Sequence, residues 1–292
     1  MESKGRHVER IPDVLAELLA SWSSSGPDLN DYWRGICENL IECSRSMPAT
    51  SFLRWPAIKQ TMHMTHRPEH DTYYQFLLEH DRWHDRWSLG LQETPVGGYI
   101  PYKLNITTSP QLVQHNFHLA YFMACAGVDP LQVDAVLEIG GGYGAMCRLF
   151  RNLGYQGRYT IYDLPMFTEI QRAWLLDVGI AVDTESEAAG DATVRLCSDA
   201  EAFAEQAKAS SGKTLLISTW GVSEIPLGKR EALLAEAGRC HAILFAFQEA
   251  FGSVNNMTAF NEFMGRHSDT FTWRGGPIPD KPGNFYLFGT RR

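Results

Sequence analysis

No two cysteines are spaced as CxxC, and the six, at 37, 43, 125, 147, 197 and 240, are scattered along the 292 residues. A disulfide framework is therefore not expected; reduced thiols filling small apolar positions are. Long apolar runs are also missing. The longest mostly apolar stretch, Leu119 to Val128, is too short to cross a bilayer. The opening Met1-Glu-Ser-Lys-Gly-Arg-His7 lacks the apolar stretch of a secretory signal, so the expectation is a cytoplasmic protein with no membrane partner. Basic runs are absent too. The 26 Lys and Arg lie scattered among 34 Asp and Glu, giving a net charge of −8, which disfavours a nucleic-acid backbone as partner. Nothing repeats at a fixed period, and nothing is low-complexity.

What is present is an ordinary globular composition, 44% hydrophobic and 21% charged, long enough for one or two domains. The first part has helical rhythm. Ile11, Val14, Leu15, Leu18, Leu19 and Trp22 form one stripe, ended by Gly26-Pro27. Tyr32, Trp33, Ile36, Cys37, Leu40 and Ile41 form a second. A third helix is expected after Pro68, carrying Tyr73, Tyr74, Leu77 and Leu78 toward Trp83 and Trp87. A turn-rich segment, Thr94 to Pro101, precedes a helix over Pro110 to Ala126.

From about Asp134 the rhythm becomes strand then helix. Strands are expected at Ala135–Ile139, Arg158–Tyr162, Val194–Cys197, Thr214–Thr219 and Ala242–Phe247. Helices are expected at Tyr143–Leu153, Pro165–Val178, from Asp199, at Pro226–Ala237 and near Met257–Met264. The tail breaks the alternation: Phe271-Thr-Trp-Arg and Asn284-Phe-Tyr-Leu-Phe-Gly flank a Gly/Pro turn, as in an antiparallel hairpin. The expected fold is thus α/β: a Rossmann-like, doubly wound, mostly parallel seven-stranded sheet with a C-terminal hairpin. Residues 1–130 form a helical cap, dimerisation and substrate region, and 131–292 the ligand-binding domain.

Val136-Leu-Glu-Ile-Gly-Gly-Gly-Tyr-Gly144 carries the chemistry. A strand stops at a glycine turn and a helix follows, so a ligand can lie against bare backbone and free N–H groups. Gly140 and Gly142, with Ala145, also satisfy a loose G-x-G-x-x-A nicotinamide fingerprint. Glu138 separates the two readings. A carboxylate in this turn repels a pyrophosphate but accepts hydrogen bonds from an amine. S-adenosylmethionine carries an amine and a sulfonium, and no phosphate.

Asp163, at the end of the second strand, is placed to accept ribose hydroxyls; its bland alternative is a cap for the helix opened by Pro165. Ser198 and Asp199 are candidates for the adenine amine, with helix capping as the alternative. Methyl transfer to an alcohol needs alignment and a base. Glu224, after the fourth strand, is the candidate base, or else a first-turn acid of the next helix. His115 is the rival base, or a satisfied helical histidine. Gln248, Glu249, Asn255 and Asn256 follow the fifth strand and can serve a polyol or make turns. His80 and His84 have metal-pair spacing, but no third ligand accompanies them, so zinc is not expected and no residue is assigned to a metal; a magnesium ion aiding hydroxyl ionisation stays open.

Leu137-Glu-Ile-Gly-Gly-Gly-Tyr-Gly144, Tyr159-Thr-Ile-Tyr-Asp-Leu-Pro165 and Ser218-Thr-Trp-Gly-Val-Ser-Glu-Ile-Pro226 together resemble the sugar O-methyltransferase family, over roughly Tyr99 to Phe288. The resemblance implies a class I methyltransferase using S-adenosylmethionine. Glu138, Gly140, Gly142, Tyr143, Asp163, Leu164, Ser198, Asp199 and Trp220 would hold the cofactor, and the partner would be a hydroxylated small molecule. A homodimer through the N-terminal helices is compatible with it. Three alternatives stay open: methylation of nitrogen, carbon or a carboxylate; a nicotinamide oxidoreductase; and a catalytically silent binding subunit on the same fold.

Overall fold

Apolar runs of four to seven residues between turns build the sheet. In the computed structural model, which describes residues 30–183, 193–210 and 212–292, they are Ala135–Ile139 (β1), Arg158–Tyr162 (β2), Val194–Cys197 (β3), Thr214–Thr219 (β4) and Ala242–Gln248 (β5). Phe271–Pro277 (β6) and Asn284–Arg291 (β7) close the chain as a hairpin. The strand order is β3-β2-β1-β4-β5-β7-β6. β1 to β5 pair in parallel, while β7 runs antiparallel to both β5 and β6. The result is the expected Rossmann-like seven-stranded sheet. The apolar stripe from Ile11 to Trp22 lies outside the described residues.

Alternate residues of each strand feed opposite layers. Val136, Ile161, Ile217, Leu244 and Phe288 join a core with the helices Asp31–Ser46 (α1), Pro56–Thr61 (α2), Glu69–Glu79 (α3), Pro110–Ala126 (α4), Ala145–Asn152 (α5) and Pro165–Asp177 (α6). Leu137, Ile139, Leu216, Ile243 and Phe245 point the other way, toward Ala200–Ala209 (α7), Leu227–Leu234 (α8) and Asn256–Arg266 (α9). The early helices therefore share one continuous core with the sheet. Each fully buried aliphatic side chain there contributes about 1.5–3 kcal/mol.

Several boundaries differ from the sequence reading. The helix after Pro68 ends at Glu79; a separate π turn, Trp83–Trp87, carries the tryptophans. The helix after β1 starts at Ala145, because Gly144 takes φ 98° at its cap, a conformation Tyr143 does not favour. Pro226 starts a helix that ends at Leu234, and an additional single turn, Gly221–Glu224, precedes it. A two-residue ladder, Ala250–Phe251 with Val254–Asn255, follows β5. Among the described residues, no helix is long and apolar enough to cross a membrane. All six cysteines are free thiols.

Candidate active site

A cavity of about 300 Å³ opens at the carboxyl ends of β1, β2 and β4. That volume lies at the small end for ligand pockets, and open α/β sheets bind at this place. Its floor is the strand-end loops: Glu138, Gly140, Gly142, Tyr143, Asp163, Leu164, Trp220 and Glu224 all line it. Its roof is helical and includes Trp33, Met62, Arg67, Gln114 and His115.

The loops are locked by close backbone approach. A Cβ on Gly140, whose φ is +78°, would lie 2.6 Å from the Cα of Gly221. The turns after β1 and β4 therefore touch main chain to main chain. The Ser218 hydroxyl donates to the Ile139 carbonyl at 2.7 Å and accepts the Val222 N–H at 2.8 Å, tying the same two loops. Gly142 is covered from above: a Cβ there would meet Met62 Cγ at 3.2 Å.

Asp163 organises the glycine turn. Its Oδ2 accepts the Gly142 N–H at 3.0 Å and the Gln171 amide at 2.9 Å, and its Oδ1 accepts the Leu164 N–H at 2.8 Å. It is not the cap of α6; that position is Leu164, which makes no side-chain cap bond. Glu138 is 2% exposed, and its Oε2 accepts the Tyr159 hydroxyl at 2.8 Å. Its Oε1 has no hydrogen-bond partner among the described residues. Burial pushes the Glu138 carboxyl up to about 8, against the Tyr159 hydrogen bond. Burial likewise pushes Asp163 up to about 7, although its N–H donors pull it down. With nothing bound, these acids hold protons near neutrality; a cation beside them restores the carboxylates.

Glu224 ends the short Gly221–Glu224 turn and does not cap α8, whose cap is Pro226. The Glu224 carboxylate accepts from Gln248 Nε2 at 3.2 Å and from the Trp33 side chain. Asn30 Nδ2 donates to the Glu224 carbonyl at 3.0 Å, so α1 is docked onto this loop. Burial raises the Glu224 carboxyl to about 7. Trp220, just before it, holds φ 68°, a strained conformation for a bulky residue. Trp220 is held there by its N–H to the Ala246 carbonyl and by its indole N–H to Asn284 Oδ1 at 2.8 Å.

His115 lines the roof, but its ring is depressed to about 3, by burial first and then by His63. Its Nε2 sits against the Gln111 amide nitrogen, and Gln111 Oε1 accepts the Met64 N–H. That arrangement leaves the imidazole neutral with its proton on Nδ1. Tyr143 borders the cavity, yet its hydroxyl is engaged by His63 Nδ1 at 3.2 Å. His63 Nε2 accepts the Ile100 N–H, so the Nδ1 proton points at Tyr143.

Ser198 and Asp199 do not line the cavity. Both are exposed, and Asp199 caps α7 by accepting the Ala202 N–H at 2.8 Å. Of the residues expected after the fifth strand, Gln248 is the last of β5 and reaches the site through Ser223 and Glu224, and Asn255 caps α9. His80 ends α3 and His84 lies in the π turn, so their helical spacing is broken. No cluster suited to a metal occurs among the described residues. The roof residues Arg67, Gln111 and Gln114, and Lys281 from the β6–β7 turn, carry no local motif. The one sequence signal, for Gln111 and Gln114 alone, is the run of polar residues in α4, a helix buried on nearly all sides.

No family model matches the chain, and no curated protein does. Among solved structures, it is similar to an rRNA methylase from Streptococcus thermophilus, at 11% identity over 54% of this chain and 86% of that one, with TM-score 0.40. It is similar to magnesium protoporphyrin IX methyltransferase from Synechocystis PCC 6803 with bound SAM, at 14% identity over 61% and 78%, with TM-score 0.41. The pyocyanin biosynthetic protein PhzM aligns over 95% of this chain and 76% of its own, at 12% identity and TM-score 0.39. At these values the likenesses decide nothing about chemistry here.

Proposed function

We propose that the chain is an S-adenosylmethionine-dependent O-methyltransferase acting on a hydroxyl of a small molecule, such as a sugar or a glycosylated metabolite. One observation carries the reading: Glu138, buried in the cavity floor with its Oε1 free, beneath a glycine turn fixed by Asp163. A carboxylate that lines the cavity with one oxygen free of protein donors suits an ammonium and repels a pyrophosphate. Bound S-adenosylmethionine supplies a methyl on a sulfonium, ready for in-line displacement.

The chain's own residues do the rest. Glu138 and Asp163 orient the amine and the ribose. The helical segment up to about residue 130 roofs the cavity, excludes water and selects the acceptor. Glu224 removes the acceptor hydroxyl proton on its carboxylate, which Gln248 and the Trp33 side chain hold in place. A carboxyl raised to about 7 is well matched to a general base near neutral pH. Neutral His115 acts as a hydrogen-bonding wall residue and not as the base.

Incubation with methyl-labelled S-adenosylmethionine and a panel of hydroxylated, amino and carboxylate metabolites tests this, read by mass. Label gained only by hydroxyl compounds supports it; label on amines or carboxylates alone moves the acceptor atom.

A further inference from the structure

The cavity's charges are unevenly placed. Its carboxylates, Glu138, Asp163 and Glu224, belong to the strand-end floor, with Lys229 of α8 beside them. On the opposite wall Arg67, from the loop before α3, and Lys281, from the β6–β7 turn, face the same space. Lys281 is well covered, its side chain 12% exposed, with Nζ 3.2 Å from Glu69 Oε1. The ammonium also sits 5.3 Å from the centroid of the Trp220 ring. Arg67 has no side-chain hydrogen bond or ion pair among the described residues, although its backbone is pinned by an N–H to His70 Nδ1 at 2.8 Å.

Neighbouring acids do not balance this wall. Glu69 is the one carboxylate paired with Lys281 among the described residues. Asp71 is taken by Lys103, His66 and the Tyr102 hydroxyl. Asp280 accepts from Thr72. Burial pulls the Lys281 ammonium down; Glu69 supports it, and the Arg67 charge pulls it further down. Lys281 thus has one counter-ion, Glu69, while the Arg67 charge opposes it across a ligand cavity, a cost that an incoming anion removes.

We propose that the acceptor carries an anionic group, a carboxylate or a phosphate, seated between Arg67 and Lys281 where their two loops line the cavity. The proposal rests on the methyltransferase reading. The hydroxyl of such an acceptor lies toward Glu224 while its anion is held on the far wall. Trp220 spans the two, with its ring under Lys281 and its backbone four residues before the base.

The cofactor has a carboxylate of its own, so the test must separate the two sources. Protein saturated with S-adenosylhomocysteine is titrated by calorimetry with glucose, glucuronate, glucose 6-phosphate and inorganic phosphate. At least one anionic probe should bind at least tenfold more tightly than glucose. Arg67→Gln, at an exposed residue with no partner to orphan, should fold normally and abolish that advantage; Lys281→Met should do the same. Equal affinities for glucose and every anion, no saturable anion binding, or an advantage surviving Arg67→Gln overturns the proposal. S-adenosylhomocysteine and 5′-methylthioadenosine, which lacks the amino-acid moiety, are titrated in parallel. If Arg67→Gln weakens the first tenfold and spares the second, the pair holds the cofactor's carboxylate, and the proposal falls. If neither nucleoside binds the wild type, the methyltransferase reading fails. Phosphate titration of the unliganded protein, with Arg67→Gln as control, then judges the anion site alone.

Discussion

The two walls of the cavity are made differently. The floor comes from the loops at adjacent strand ends, and its groups act directly on one another across them: Asp163 on Gly142, Ser218 on Ile139, Gly140 on Gly221. The roof is gathered from distant stretches, Asn30 to Trp33, Met62 to Arg67, Gln111 to His115, and Lys281. A shared sheet topology dictates the floor. Only packing against that sheet dictates the roof; under the proposed function the loops after β1 and β2 serve the cofactor, while Glu224 and the roof serve the acceptor. Each substitution below asks whether that division holds.

The largest effect is expected at Glu224. Glu224→Gln should lower turnover by about 10²–10⁴-fold, the usual range for losing a general base. S-adenosylhomocysteine affinity should stay within about twofold by calorimetry. A comparable loss of affinity would make Glu224 part of the cofactor site.

Asp163→Ala comes next. Removing an acceptor from a charged hydrogen bond costs about 1.5–3 kcal/mol, which is tenfold to a hundredfold or so in S-adenosylhomocysteine affinity. Because Asp163 also fixes the Gly142 N–H, the glycine turn should loosen, readable as faster amide exchange at Gly142. Unchanged affinity would reduce Asp163 to a turn-forming residue.

The pH dependence of stability has a smaller effect and a definite sign. Glu138, Asp163 and Glu224 are raised by burial to about 8, 7 and 7, so above their ordinary range the native state keeps protons that the unfolded chain has lost. Stability then falls as pH rises. His63, His70 and His115, lowered by burial to about 4, 4 and 3, act oppositely, but only up to the ordinary histidine value of 6.5. Between about pH 6.5 and 8 the acids act alone, and the melting temperature of the unliganded protein should drop. Glu138→Gln should flatten the drop, and S-adenosylhomocysteine should reduce it. A rising melting temperature across that window contradicts the buried-acid floor.

The smallest effect is expected at His115. With a ring depressed to about 3, it has no proton affinity to offer at neutral pH. His115→Ala should lower turnover less than tenfold and leave the pH profile of kcat/KM unmoved. A shifted profile would transfer the base to the roof.

The asymmetry also explains what could be read from the chain. Strand residues alternate between two apolar layers, so β1 to β4 were legible to the residue, and the hairpin followed from a Gly/Pro turn between aromatic runs. Glu138 and Asp163 stood out because a carboxylate beside a glycine turn is a local pattern. Arg67 and Lys281 lie 214 positions apart in sequence and meet only because the β6–β7 turn folds back over Trp220. Asp199 misled for the opposite reason: a strand-end acid before a helix looks the same whether it caps or binds, and here it caps. Glu224 has the same look in sequence, but the Gly221–Glu224 turn carries it away from α8 and to the cavity.

Calorimetric titration of the purified chain with S-adenosylmethionine, S-adenosylhomocysteine and NAD is the most direct test of the floor. Saturable binding of both sulfur nucleosides, weakened by Glu138→Gln, with no heat from NAD, is the expected result. Saturable NAD binding with no heat from either sulfur nucleoside would contradict a methyl-transfer site.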